Sequence, residues 1–159
     1  MTRLLAYRFP PEAEFDGRLL GMLERAFGGG PLRVIDLLVV ARDAGTGELI
    51  ALSARGRGEG SLIASLVGFR LDAAERARAT ARAQRAYRSA DGFDLVARLG
   101  GALASGGAIA ALLVPPDWAD AVDQAAGSCG GSPLLNEAVP DTRLGELGSR
   151  LVDAASSSA

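Results

Sequence analysis

The side chains best suited to recognising another molecule are arginines that recur at helical spacing in the segment 70–89. At about 100° per helical residue, these arginines lie within about a third of the helix circumference. Their guanidinium groups are suited to binding anions. The four residues in question are Arg78, Arg82, Arg85 and Arg88. This spacing predicts a helix that meets acidic groups on a partner, and the structural alternative is a solvated charged face.

The opposite side of this predicted helix carries small side chains together with Tyr87, namely Ala79, Ala83 and Ala86. A face of this kind buries little apolar area within its own domain. We therefore expect a second subunit or another protein to cover it. Aromatic residues make up only 5% of the chain and the net charge is −2, which argues against nucleic acid as the partner.

The stretch 61–69, "SLIASLVGF", is a short apolar segment that precedes the arginines. It holds nine residues, whereas a helix that spans a bilayer needs about 20. Its spacing favours packing on the chain's own sheet or in a partner's groove. Contact with a membrane interface, with the arginines at the headgroups, is the alternative. The predicted partner-binding residues are Leu62, Ile63, Leu66, Val67, Phe69, Arg78, Arg82, Arg85 and Arg88.

Asp36 is a carboxylate within an otherwise aliphatic strand pattern. Burial of a charged carboxylate is costly unless the group is paired or hydrogen-bonded. Pairing with Arg33, Arg42 or another arginine, or exposure on one face of the sheet, is the structural interpretation. A functional acid is the alternative.

Three further carboxylates, Asp117, Asp120 and Asp123, recur on one short predicted helix. They lack the glycine and the terminal glutamate of a calcium-binding loop, and acidic residues near a helix N-terminus favour the macrodipole. We expect them to form an acidic face that the arginines of another copy could meet. Cys129, in the glycine-rich loop "GSCGGS", has no neighbour in sequence that would activate it.

The composition excludes most common catalytic layouts, since the chain has no His and a single Cys. A Ser-His-Asp triad, a Cys-His dyad, a His-ligated zinc site and an internal disulfide are all impossible. We therefore predict that the protein is not an enzyme and holds no cofactor or metal. The N-terminal segment "TRLLAYRFPPEAEF" becomes acidic too soon for a signal peptide, which predicts a cytoplasmic protein.

Three consecutive glycines, Gly28 to Gly30, invite comparison with a phosphate-binding loop. Such a loop follows a strand and opens a helix, because the ligand binds the free N–H groups at the helix N-terminus. Here the predicted order is reversed, with a helix before the glycines and a strand after Pro31. The glycines are therefore interpreted as a helix C-cap.

The hydrophobic periodicity predicts a single α+β domain. The order strand, helix, strand, strand, helix, strand is that of a ferredoxin-like βαββαβ sandwich with its helices on one face of the sheet. A helix, strand and helix are appended, and the insertion 61–89 is helical. We expect the domain to cover residues 1–154 and the tail 155–159 to be disordered. The predicted strands are 3–9, 32–41, 48–54, 108–114 and 133–139, and the predicted helices are 15–27, 70–89, one capped by Asp91, 117–126 and one from Asp141.

The stretches "IDLLVVARDAGTGEL", "AIAALLVPPDWADAVDQAAG" and "LLNEAVP" resemble a group of small uncharacterised proteins from high-GC bacteria. The resemblance covers about the first 54 residues and 93–140. It implies a ferredoxin-like fold without an assigned activity. Some members of that group carry a hydrophobic Gly/Ala-rich hairpin where this chain has the half-apolar, arginine-rich segment 61–89.

These observations lead to one functional prediction and two alternatives. The prediction is a non-enzymatic interaction or scaffold domain that forms homo-oligomers or docks on another protein, through sheet edges and the insertion 61–89. The first alternative is a regulatory domain that binds an anionic small molecule between protomers. The second alternative is a peripheral membrane protein.

Overall fold

The computed structural model describes residues 1–10, 35–55, 72–128 and 130–157. Within them the protein is α+β, with five antiparallel strands and four α-helices. Short 3-10 helices at Pro116–Trp118 and Leu144–Leu147 precede the last two α-helices. The elements are β1 (Thr2–Phe9), β2 (Asp36–Arg42), β3 (Leu49–Arg55), α1 (Ala73–Ala86), α2 (Leu95–Gly101), β4 (Ala108–Val114), α3 (Ala119–Ser128), β5 (Ser132–Val139) and α4 (Gly148–Ser157).

The strand order across the sheet is β3, β2, β4, β1, β5, and every neighbouring pair is antiparallel. The predicted hairpin between the second and third strands is confirmed, with Asp36 opposite Arg55 and Arg42 opposite Leu49. Its turn contains Gly47 at a φ of 72°, a conformation that glycine adopts without strain. The expected βαββαβ order counted β3 among the sandwich strands and treated β5 as appended. β3 instead forms one edge of the sheet, and β5 forms the other.

Helices cover both faces of the sheet, which corrects the expectation of helices on one face only. Leu5 and Tyr7 of β1 belong to a front cluster with Val122 of α3, whereas Leu4 and Ala6 belong to a back cluster with α2 and α4. The cause is visible in β4, "AIAALLV", in which all seven residues are buried. A strand with apolar side chains on both faces needs cover on both sides.

Two helix starts differ from the sequence prediction. The N-cap of α2 is Asp94, whose carboxylate accepts a hydrogen bond from Ala97 N at 3.1 Å. The carboxylate of Asp91, the predicted cap, instead accepts from Phe93 N at 3.2 Å within the preceding turn. The last α-helix begins at Gly148, after the 3-10 helix, and runs through Ser157. Its Ala155 is fully buried.

Arginines from two strands bind the carbonyl groups at helix C-termini. Arg42 Nε donates to Gly100 O at 2.8 Å, and Arg8 Nη1 donates to Ala102 O at 2.9 Å, both at the end of α2. Arg8 Nη2 also donates to Ala155 O in the last turn of α4. Cations at these positions are favoured by the negative end of the helix dipole.

Several predicted features lie outside the described residues. They are the helix 15–27, the glycines 28–30, the start of the strand 32–41, the apolar segment 61–69 and Cys129. In the part of the chain that is described, no helix has both the length and the apolar character needed to cross a membrane.

Candidate functional site

Three of the four predicted partner-binding arginines pair with carboxylates of their own chain. Glu75 accepts from Arg78 Nη2 at 2.7 Å and from Arg82 Nη2 at 3.4 Å. Hydrogen bonds from Arg78 and then Arg82 are the main reasons why the pKa of Glu75 lies below its ordinary value. Arg88 Nη2 lies 3.2 Å from Asp94 Oδ2. These pairs lie on the surface, where each contributes little to stability.

Arg85 is exposed in the last turn of α1 and has no ion pair with any described residue.

Of the predicted acidic face, Asp123 accepts a hydrogen bond from Tyr7 Oη at 3.1 Å across the front of the sheet. Burial, followed by the charge of Asp123, raises the pKa of Tyr7. Among the described residues no three His, Cys, Asp or Glu side chains are grouped to hold a metal ion.

The helix α1 lies along the outer edge of β3 and closes it. Thr80 Oγ1 accepts the backbone N–H of Ala51 at 3.0 Å, a strand group that would otherwise face outward. Ala79 joins the front cluster while Ala83 and Tyr87 join the back cluster, so the helix straddles the end of the sheet. The small alanine side chains allow the helix to approach closely. Covering an edge with a helix prevents it from pairing with another chain.

Asp36 is buried, with 1% of its surface exposed, and anchors the C-terminal end of α1. Its carboxylate accepts from Tyr87 Oη and from Leu144 N, each at 3.0 Å. Arg42, one of its predicted partners, donates instead to Gly100 O and Gly47 O. Asp36 therefore joins β2, the end of α1 and the 3-10 helix before α4. The other named partner, Arg33, lies outside the described residues.

A cleft of about 510 Å³ lies between the β2–β3 turn and α1. Its rim includes Asp43 and Glu48, and Arg76 faces them from the helix. The backbone N–H and the hydroxyl of Thr46 hold the pKa of Asp43 below its ordinary value, so this carboxylate stays charged. Two acidic groups at the rim disfavour an anionic ligand in this cleft.

The strand β5 forms the opposite edge of the sheet and pairs with β1 on its inner side. Among the described residues, no strand or helix pairs with its outer side, although the side chain of Arg3 in β1 donates from Nη2 to the backbone carbonyl of Asn136 at 3.2 Å. Pro133 lies opposite Tyr7 and Leu135 opposite Ala6, so Leu134 is the extra residue of a β-bulge. The bulge lets two consecutive leucines pack against the back cluster while both stay partly exposed.

A shallow groove of about 610 Å³ runs between β5 and α4. Its lining combines apolar side chains with charged side chains of both signs. Arg150 Nη1 lies 3.2 Å from Glu137 Oε2, and the two side chains are 55% and 42% exposed. Asp153 is exposed and forms no ion pair with any described residue. The lining residues are Leu134, Leu135, Glu137, Arg150, Asp153, Ala154 and Ser157.

This groove was not predicted from the sequence. Its signal was weak, because two leucines in a short strand after Pro133 are equally expected of a core strand. The bulge, which keeps both partly exposed on one face, depends on the register with β1. Arg150 and Asp153 carried no signal of their own on a short C-terminal helix.

Comparisons of the chain with protein-family models, with curated proteins and with solved structures found no match. The resemblance to small proteins from high-GC bacteria therefore stays a prediction. The two sheet edges and the side chains beside them are the features of the described residues that bear on function.

Proposed function

We propose that the protein is a non-enzymatic, self-associating domain in which two copies join through the outer edge of β5. The observation that carries this proposal is the contrast between the two edges. Thr80 and the small side chains of α1 close the β3 edge, whereas β5 presents exposed residues such as Asn136 and Ala138. An uncovered strand edge offers N–H and C=O groups that a second strand can bind.

The groove beside β5 supports an extended contact rather than a strand contact alone. Leu134 and Leu135 provide apolar surface, and the charged residues of α4 and β5 provide a polar rim. Protein interfaces commonly combine an apolar centre with a polar, solvated rim. The leucines would be covered first when a second molecule approaches the edge.

A second copy of the same chain is the occupant that this surface favours. Antiparallel pairing of β5 with itself continues an all-antiparallel sheet and uses the same patch on both molecules. Arg150 and Asp153 place opposite charges on one helix face, an arrangement that complements itself after a two-fold rotation. Since α1 covers the other edge, growth of the sheet ends at two copies.

We further propose a ferredoxin-like sandwich whose four strands are β1, β2, β4 and β5. Without β3, the spatial order β5, β1, β4, β2 places the first and last strands of the chain side by side. In this interpretation β3, α1 and α2 are inserted between the second and third strands. The cytoplasmic location and the docking role of Leu62, Ile63, Leu66, Val67 and Phe69 stay predictions.

Light scattering after size exclusion tests the proposal. We expect the wild-type protein to have twice the mass of one chain, and Leu134→Asp to return it to the mass of one chain while circular dichroism stays unchanged. The matched control is Arg85→Glu on α1, which also introduces a negative charge at a surface and should leave the dimer intact.

Each other outcome contradicts the proposal in a different way. A monomeric wild-type protein at 100 µM would overturn self-association altogether. Dissociation by Arg85→Glu but not by Leu134→Asp would move the interface to the arginine-bearing helix. If Leu134→Asp unfolds the protein, the milder Ala138→Lys at the exposed end of β5 gives the same test.

A further inference from the structure

We infer that the charged side chains of α4 set the register between the two copies, with Arg150 of each copy bound to the partner's Asp153. This inference rests on the proposed function, because it describes how two β5 edges would meet. It adds the two-fold axis, which would pass close to Asn136. It also implies that the Arg150–Asp153 pair makes a second copy of this chain the preferred partner.

The direction of α4 relative to β5 is the first step. Arg150, near the start of the helix, pairs with Glu137 near the end of the strand. Ala155, near the end of the helix, accepts from Arg8, and Arg8 lies opposite Ser132 at the start of the strand. The helix therefore runs antiparallel to β5 along its groove.

The spacing of the two charges along the strand is the second step. Three helical residues correspond to a rise of about 4.5 Å, and one strand residue to about 3.3 Å. Asp153 therefore lies roughly one and a half strand residues from Arg150, in the direction of Leu135. Relative to β5, Arg150 lies level with Glu137 and Asp153 lies between Leu135 and Asn136.

A two-fold axis near Asn136 would place Arg150 of one copy beside Asp153 of the other. It places Glu137 of one copy opposite the partner's Leu135, and so Arg150 opposite the partner's Asp153. A register centred on Glu137 would instead place two glutamates directly opposite each other, which is unfavourable in antiparallel pairs. A register centred on Leu134 would place both bulges on the axis, where the ladder is irregular.

Arg150 can accept this second carboxylate without losing the first. A guanidinium has five N–H donors, and one of them reaches Glu137 at 3.2 Å. Asp153 is exposed and forms no ion pair with the rest of the described chain. The pairing therefore adds a contact at Arg150 and leaves the Arg150–Glu137 pair in place.

Charge reversal tests this inference through complementation. In the single variant Arg150→Asp, the new carboxylate would face Asp153 of the other copy, so two acidic groups would meet. In the single variant Asp153→Arg, two basic groups would meet instead. We expect each variant to dimerise at least about tenfold more weakly than the wild type, measured by analytical ultracentrifugation at low salt. Mixed in equal amounts, the two variants should form a heterodimer in which both charged pairs are restored.

The control is Arg143→Asp, which makes the same charge change at an exposed residue outside the groove. It should leave dimerisation unchanged. If the wild type dimerises but the mixed variants do not recover, the register is wrong while the β5 interface stands. If the wild type is monomeric, the proposed function itself fails. If both single variants dimerise as tightly as the wild type, the charged pair is overturned as the selecting contact.

Discussion

The two edges of the sheet are treated in opposite ways. At the β3 edge, α1 straddles the end of the sheet, and Thr80 accepts the N–H of Ala51. At the β5 edge, a bulge turns two leucines toward a shallow groove beside α4. Among the described residues, α1 covers one edge of this sheet, whereas no helix or strand pairs with the other.

The comparison also shows why the arginine-rich helix is ordered within its own chain. Its apolar face is small, but the edge of a sheet is narrow and needs little area to cover it. Ala79 and Ala83 let the helix approach, and the carboxylate of Asp36 binds Tyr87 at its C-terminal end. A few specific polar contacts replace the apolar area that the sequence analysis found lacking.

The largest effect is expected from breaking the anchor of the covered edge. Asp36→Ala leaves Tyr87 Oη and Leu144 N without their acceptor in a buried position. We expect the free energy of unfolding to fall by about 3 kcal/mol, because each buried donor left without a partner costs about 1–3 kcal/mol. Urea denaturation measures this loss. The matched variant Tyr87→Phe removes one of the two bonds and should cost about 1 kcal/mol.

The packing of α2 against the start of β3 gives the second prediction. A Cβ at Gly100 would lie 2.5 Å from Leu49 Cδ1, whereas a Cβ at Gly101 meets nothing within 4 Å. Leu49 is partly exposed and its side chain can shift, so Gly100→Ala should destabilise the protein by at most about 1 kcal/mol. Gly101→Ala, its neighbour, should be neutral or slightly stabilising in thermal unfolding. Equal effects at the two positions would contradict the close approach.

The third prediction concerns alkaline pH and the half of the sheet near β5. Burial and the charge of Asp123 raise the pKa of Tyr7, so folded Tyr7 keeps its proton above pH 10 while an unfolded tyrosine loses it. The stabilisation is present below pH 10 and is lost as pH rises, by about 1.4 kcal/mol per pH unit. In Tyr7→Phe this part of the slope should be absent. Denaturation at pH 9, 10 and 11 makes the comparison, and parallel slopes for the two proteins would refute it.

The smallest effect is expected at the hydrogen bond that closes the β3 edge. Thr80→Val keeps the shape of the side chain but removes the acceptor for Ala51 N. We expect a loss of about 1 kcal/mol and a roughly tenfold faster amide exchange at Ala51. Thr80→Ser keeps the hydroxyl and serves as the control. Unchanged exchange at Ala51 in the valine variant would mean that the helix protects this edge by packing alone.

The strands were largely predictable from the sequence, because their signal is local. The apolar run of β4 and the hairpin between β2 and β3 were predicted within a few residues. The helix α1 was also predicted, within 70–89, because the spacing of its arginines and alanines is a local feature.

The contacts between distant segments could not be predicted in the same way. Asp36 and Leu144 are 108 residues apart, and their hydrogen bond depends on how the chain returns to the sheet. The bulge at Leu134 depends on the register with β1, which nothing within β5 specifies. The arginines of α1 were recognised as a charged stripe, but Glu75 on the same helix was not identified as their partner.

The guanidinium of Arg8 has a consequence for how the back layer opens. It binds the last turns of two helices that are separated by more than 40 residues of chain, at Ala102 and Ala155. If either helix end frays, Arg8 loses one of the carbonyl groups that it binds. Its remaining hydrogen bond to the other helix end would then be weaker. We therefore expect the amides at the ends of the two helices to exchange with solvent together rather than one after the other.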